Sequence, residues 1–323
     1  MQEPLISARN IKKYFKVKEG TVKAVDGINF DIYPGETFGL VGESGCGKST
    51  TGRTITRLLE PTEGEMFFEG EDIFKLPKSE LRKRRRDFQF IFQDPYASLD
   101  PRMTIEEIVS EPLEIYKVYN NAKDRRQRVL ELLNLVGLSE EHASRFPHEF
   151  SGGQRQRVGV ARALALRPKF IVCDEPISAL DVSIQAQVIN ILIELQKKMD
   201  LTYLFIAHDL SMVKYISDRV GVMYLGNMME VATSDELYSN PLHPYTIALL
   251  SAIPIADPKI QREKNRIILQ GEVPSPIDPP NQCPFVDRCS RAQDICRKSK
   301  PEFREVRDNH FVACHLVEQK LSH

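Results

Sequence analysis

No stretch of the 323 residues is apolar for long enough to cross a bilayer; the longest clean runs, such as residues 201–207, stop far short of the roughly 20 residues that a spanning helix takes. The chain also lacks an opening basic stretch followed by an apolar core, so no cleaved secretory leader is expected and the cysteines are expected to meet a reducing compartment. An excess of charge of one sign is missing too. With 44 Lys and Arg against 45 Asp and Glu, nothing global points to nucleic acid. Cysteine is sparse, and four of the six fall between Cys283 and Cys314. The length allows one large domain and one small one around a sizeable core.

Against these absences stands one dense motif. Gly42-Glu43-Ser44-Gly45-Cys46-Gly47-Lys48-Ser49-Thr50 fits the phosphate-binding pattern G-x-x-x-x-G-K-[ST], with a strand read over residues 37–41 before it and a helix over residues 49–59 after it. Phosphates need converging backbone N–H groups, and glycines let the chain take the turn that aims them inward at a helix N-terminus. Lys48 is expected to reach the β- and γ-phosphates of ATP, Ser49 to ligate Mg2+, and Thr50 to approach the α-phosphate. Upstream, residues 5–9 and 22–32 read as strands joined through a loop that carries Tyr14 and Phe15. A loop aromatic can stack on adenine, and Tyr14 is the candidate, with Phe15 as the alternative.

Further on, residues 88–92 read as a buried strand that delivers Gln93 at its end. Helical periodicity follows over residues 105–116 and 124–136, stopped by Gly137. A second Gly-rich helix start, Ser151-Gly152-Gly153-Gln154, has Ser151 as its expected N-cap and offers another anion-binding terminus. Residues 169–173 form a short apolar run that ends in Asp174-Glu175. Paired carboxylates there suggest a division of labour in which Asp174 holds hydrated Mg2+ and Glu175 takes a proton from attacking water. A turn at residues 178–181, ending in Asp181, leads into a long helix over residues 182–199. The next strand, residues 202–207, ends at His208. The strand ends carrying Lys48, Gln93, Glu175 and His208 are expected along one edge, where open parallel sheets bind ligands.

Taken in order, the phosphate loop, Gln93, Ser151-Gly152-Gly153-Gln154, Asp174-Glu175, the turn to Asp181 and His208 resemble the full motif set of an ABC transporter ATPase. The likeness extends over residues 5–253. It implies an α/β fold: a P-loop NTPase core with a mixed, largely parallel sheet, an antiparallel β subdomain and an inserted helical subdomain at about residues 96–166. It also implies that Gln93 senses Mg2+ and water, that His208 contacts the γ-phosphate, and that Ser151 and Gly153 grip ATP held by an opposite subunit, with Asp181 at the seam. Phe150 stands where the family most often has Leu and Ile177 where Thr is frequent, neither a position that does chemistry. Residues 91–101, 148–157 and 240–246 are similar to the oligopeptide/dipeptide importer ATPases, and to the second ATPase of such heteromeric systems. The implied partners are a related ATPase packed head to tail, two transmembrane permease subunits and an extracellular or periplasmic peptide-binding protein, with the chain peripheral on the cytoplasmic face of the cell membrane. Nickel and glutathione importers share the subgroup. A soluble ABC ATPase working on nucleic acid or ribosomes is the more distant alternative.

The expected division is an ATPase domain over residues 1–255 and a C-terminal extension over residues 256–323. The extension opens with a Pro-rich connector at residues 271–280. Cys283, Cys289, Cys296 and Cys314 follow, separated by five, six and seventeen residues, which is irregular for the commonest zinc fingers. With few apolar residues nearby, a bound metal could supply the order that packing cannot. From the residues alone, zinc (with His310 or His315 assisting) and free thiols both stay open. The resemblance implies a 4Fe-4S cluster with a structural or redox-regulatory role.

Overall fold

The computed structural model describes residues 3–254 and 267–317. The expected boundary at residues 255 and 256 lies outside the described residues. The chain divides into two compact units, the first made of Met1–Ile32, Thr37–Phe74 and His208–His323, the second of Tyr33–Glu36 and Lys75–Ala207.

The first unit opens with an antiparallel hairpin, β1 (Ile6–Val17) and β2 (Gly20–Ile32). Next come β3 (Thr37–Val41), the helix α1 (Lys48–Ile55), and the strands β4 (Glu63–Phe68) and β5 (Glu71–Asp72). All five residues of β3 are buried, as its unbroken apolar character demands. Helix α1 stops four residues short of the expected end because Arg57 adopts a left-handed φ of 51°. Strands β2, β1, β4 and β5 form one antiparallel sheet in that order.

The second unit begins with α2 (Lys78–Arg84) and β6 (Phe88–Ile91), and its helical insertion holds α3 (Pro95–Ser98), α4 (Ile105–Ile115), α5 (Ala122–Leu135) and α6 (Gly152–Leu164). Thr104 closes a capping box with Glu107 at the start of α4, and Asn121 caps α5. Then follow β7 (Phe170–Asp174), α7 (Val182–Met199) and β8 (Thr202–Ile206). Strands β6, β7 and β8 run parallel, with Ile91 opposite Cys173 and Asp174 opposite Ile206. Both β7 and β8 are wholly buried. Strand β6 departs from the expected buried strand: Phe90 is only partly covered and Phe92 is 41% exposed, because β6 is the last strand in its sheet.

The chain then returns to the first unit through α8 (Leu210–Ile216), β9 (Arg219–Tyr224), β10 (Asn227–Thr233), α9 (Ser234–Ser239) and α10 (Pro244–Ser251). Strand β9 lies parallel to β3 and antiparallel to β10. In the C-terminal region, α11 (Asp294–Lys298) precedes the hairpin β11 (Arg304–Arg307) and β12 (His310–Val312). Strand β12 pairs antiparallel with β10, Glu230 lying opposite Val312, so the tail extends the sheet of its own unit. No helix among the described residues is long and apolar enough to cross a membrane.

Candidate functional site

In the first unit the phosphate loop links β3 to α1. Gly42 and Gly47 carry φ of 151° and 107°, and a Cβ at either would come within 2.2 Å of the Met223 carbonyl oxygen or 2.1 Å of that of Ala24. Only glycine fits both the backbone angle and the space, so the turn expected from the motif is forced by its surroundings. Lys48 is buried, and its Nζ donates to the carbonyl oxygens of Gly42 at 2.9 Å and Glu43 at 3.0 Å, which places the ammonium inside the loop. Ser44 and Gly45 are exposed at the rim, while Ser49 and Thr50 sit half-buried in the first turn of α1. Cys46 is buried, and burial pushes its thiol up, so it stays a protonated packing residue. The cradle fits a polyphosphate, and the hydroxyl of Ser49 is a hard oxygen donor of the kind Mg2+ takes.

The loop expected around Tyr14 is corrected, and the role expected of the residue itself is not. The expected loop is part of β1, where Tyr14 pairs with Lys23 of β2 across an irregular stretch of the hairpin. A longer run of hydrogen-bonded hairpin wins over the local turn signal. The Tyr14 hydroxyl donates to Asp26 Oδ1 at 2.5 Å, and Lys23 Nζ lies 5.8 Å from the ring centre. Phe15 is 36% exposed beside Lys13. His208, also in this unit, is exposed just before Asp209, which caps α8.

The second unit brings together two residues separated by 82 positions: Gln93 Nε2 donates to Glu175 Oε2 at 2.6 Å. The parallel register of β6 and β7 causes this, since both residues leave the same ends of neighbouring strands. Asp174 is fully buried at the end of β7. Glu175 takes a left-handed φ of 49° and its N–H donates to the Ile206 carbonyl at 2.9 Å, an uncommon conformation for a non-glycine residue of the kind that collects at functional sites.

Ser151 caps α6 as its sequence foretells: its hydroxyl accepts from Gln154 N, and Gln154 Oε1 accepts from Ser151 N at 3.0 Å. The cap is exposed, so this helix start faces outward. Replacing Ser151 with Ala is expected to lower stability by about 1 kcal/mol, read by denaturant unfolding. Gly153 has a packing duty as well, because a Cβ there would lie 2.3 Å from Ile184 Cγ2, while Gly152 sits against Leu180. Asp181 is exposed at the start of α7.

The C-terminal cysteines lie in a region that packing helps to order. Phe285 is buried among Tyr224, Tyr245 and His243, and Val306, Val312 and Cys314 form a small core. His310, expected as an assisting ligand, gives its Nε2 to Glu230 Oε1 at 2.7 Å, and His315 Nε2 lies 3.0 Å from the Ser299 carbonyl. Among the described residues no group of three or more His, Cys, Asp or Glu is placed to hold a metal ion, so the four sulfurs as they stand do not fit a cluster. Burial pushes the Cys283 thiol up to about 11, the neighbouring Cys296, Cys314 and Cys289 adding to the rise.

Sequence reasoning missed the network behind this packing. Glu230, wholly buried, accepts from the N–H groups of Leu242 at 2.7 Å and His243 at 3.0 Å as well as from His310. Nothing in the local pattern of β10 marks it. Burial holds His243 down at about 4, partly offset by Glu230, while its Nδ1 accepts from Tyr245 N at 3.1 Å. A histidine kept neutral in the folded chain but titrating normally when unfolded favours folding above pH 6.5 and disfavours it progressively as pH falls toward 4. The expected slope is up to about 1.4 kcal/mol per pH unit, and His243→Asn should remove this part of the pH dependence in denaturant melts.

Comparisons with known proteins agree with the motif order. The family described as "ABC transporter" matches residues 25–178, and that described as "Oligopeptide/dipeptide transporter, C-terminal region" matches residues 229–296. The putative oligopeptide transport ATP-binding protein YkfD of Bacillus subtilis is 59% identical over 97% of this chain and 95% of its own. The oligopeptide transport ATP-binding proteins AppF and OppF of the same organism are 55% and 56% identical, over 98% and 99% of both chains respectively. Among solved structures, the dimeric post-hydrolysis state of the ATP-binding cassette MJ0796 bound to ADP and Pi matches with a TM-score of 0.65 and 34% identity, over 71% of this chain and 98% of that one.

Proposed function

This chain belongs to the ATP-binding proteins of ABC transporters, in the oligopeptide/dipeptide group, and from that membership we propose that it hydrolyses ATP to drive peptide import through separate permease subunits. The observation that carries the reading is the Gln93–Glu175 hydrogen bond, which sets a carboxylate at the strand end beside the glutamine that would report on water and metal. In this reading Lys48 and the N–H groups of residues 42–50 bind the phosphates and Tyr14 stacks on adenine. Ser49, Gln93 and Asp174 would hold Mg2+, whose charge, when bound, would offset that building on the phosphates. Glu175 accepts the proton of the attacking water and His208 contacts the γ-phosphate.

The helix start at Ser151 has no lysine of its own and faces outward, which suits a role on a neighbour's nucleotide. A related ATPase subunit packed head to tail would supply it, with Ser151, Gly152, Gly153 and Gln154 gripping the partner's ATP and Asp181 at the seam. The dimeric cassette MJ0796 supports that arrangement. Two permease subunits, an external peptide-binding protein and attachment at the cytoplasmic face of the membrane complete the assembly. The names of the relatives favour peptides over nickel or glutathione, and over work on nucleic acid or ribosomes.

The test is reconstitution of the full importer in vesicles, with labelled peptides, nickel and glutathione offered in turn. Peptide uptake that requires ATP and disappears with Lys48→Ala is expected. Uptake of nickel or glutathione alone would transfer the cargo assignment. The 4Fe-4S cluster implied for Cys283, Cys289, Cys296 and Cys314 would require their thiols to be drawn together and deprotonated. Iron and acid-labile sulfide assays on anaerobically purified chain decide whether it forms.

A further inference from the structure

The C-terminal region touches the phosphate loop directly. Arg288, at the end of the short turn Val286–Arg288, forks the Glu43 carboxylate, with Nη1 at 2.7 Å from Oε2 and Nη2 at 3.1 Å from Oε1. Its side chain is only 9% exposed, so the pair is better shielded from solvent than a surface salt bridge. Tyr224 lies beneath the guanidinium, its hydroxyl 3.4 Å from Nη1. Glu43 is held elsewhere too: its N–H donates to the Tyr245 hydroxyl at 2.9 Å, and its carbonyl accepts from Lys48 at 3.0 Å. One residue of the loop thus meets the phosphate-binding lysine, helix α10 and the tail. Cys283 N donates to the Cys296 carbonyl and Val286 N to that of Cys283, which fixes the turn that presents Arg288.

We propose that Arg288 is a positioning residue for nucleotide binding, which fixes the phosphate loop through Glu43 and cancels a negative charge that the loop itself carries next to where a polyphosphate must sit. A fork between guanidinium and carboxylate sets orientation as well as charge, which a lysine cannot reproduce. Without Arg288, an uncompensated carboxylate would repel the incoming phosphates and leave the loop less constrained. The inference rests on the reading of residues 42–50 as the ATP site.

The experiment measures binding of a fluorescent ATP analogue to the full chain, and ATP hydrolysis by the assembled importer. Arg288→Ala should weaken binding about tenfold, and Arg288→Lys should fall between it and the wild type. In the importer KM for ATP should rise with little change in kcat, since Arg288 touches no reacting atom. Adding Glu43→Gln to Arg288→Ala should restore most of the affinity, because the repelling charge is gone. Val306→Ala, which loosens the small core of the tail, should lower Tm yet leave binding unchanged. Unaltered binding in Arg288→Ala, no rescue by Glu43→Gln, or an equal loss in Val306→Ala would each overturn the proposal. Lys48→Ala separates this from failure of the site reading: if it binds nucleotide as the wild type does, the site is misassigned, whereas its failure to bind beside an unaffected Arg288→Ala refutes only the role of Arg288.

Discussion

Glu175→Gln is expected to keep nucleotide binding and to lose roughly 100-fold or more in hydrolysis, the scale of a missing general base. The substitution is close to isosteric, and Glu175 is 6% exposed with its backbone pinned by the bond to Ile206, so the fold has little reason to change. An amide oxygen can still accept from Gln93 Nε2, as the carboxylate does at 2.6 Å. What disappears is the ability to take a proton. Equilibrium binding of ATP alongside single-turnover hydrolysis separates the two effects. Normal turnover in the variant would remove Glu175 from the role, and loss of binding would mean that it shapes the pocket instead.

The second large effect falls on stability. Glu230→Ala is expected to cost about 3–5 kcal/mol, because it strips a buried acceptor from His310 and from the N–H groups of Leu242 and His243 together. Glu230→Gln, which keeps one oxygen acceptor, should cost less. Denaturant unfolding measures the difference, and limited proteolysis should show β12 released from β10 first. A loss below about 1 kcal/mol would mean that water or a rearranged backbone replaces the carboxylate.

The two predictions sit at opposite ends of what a sequence reveals. The motif around Lys48, the capping of α6 by Ser151 and the bounds of β3 and α7 follow from patterns a few residues long, and the structure places each where those patterns put it. Glu175 was recognisable because two carboxylates at the end of an apolar run are chemically unusual. Glu230 resembles any glutamate in a strand. Its burial depends on β12 arriving from 80 residues away, and no local window contains both partners.

Tyr14 and the tail show where short-range reading breaks down. The Lys-Lys-Tyr-Phe run carries loop-like polarity, but pairing with residues 20–26 draws it into β1. The tail looked too poor in apolar residues to order itself, and by itself it is: Phe285 is buried on Tyr224, Tyr245 and His243, none of them part of the cysteine region. Composition counts what a segment owns, whereas stability depends on what it can borrow.

By itself, then, the amino-acid order determined the phosphate loop, the capped helix starts and the set of residues suited to ATP chemistry, because each depends on backbone geometry or side-chain type within one or two turns of chain. Tertiary structure alone decided that Gln93 meets Glu175, that Glu230 binds His310, and that Arg288 of the C-terminal region grips Glu43. Those contacts close over gaps of 82, 80 and 245 residues, and only the packing of whole strands and turns can choose such partners.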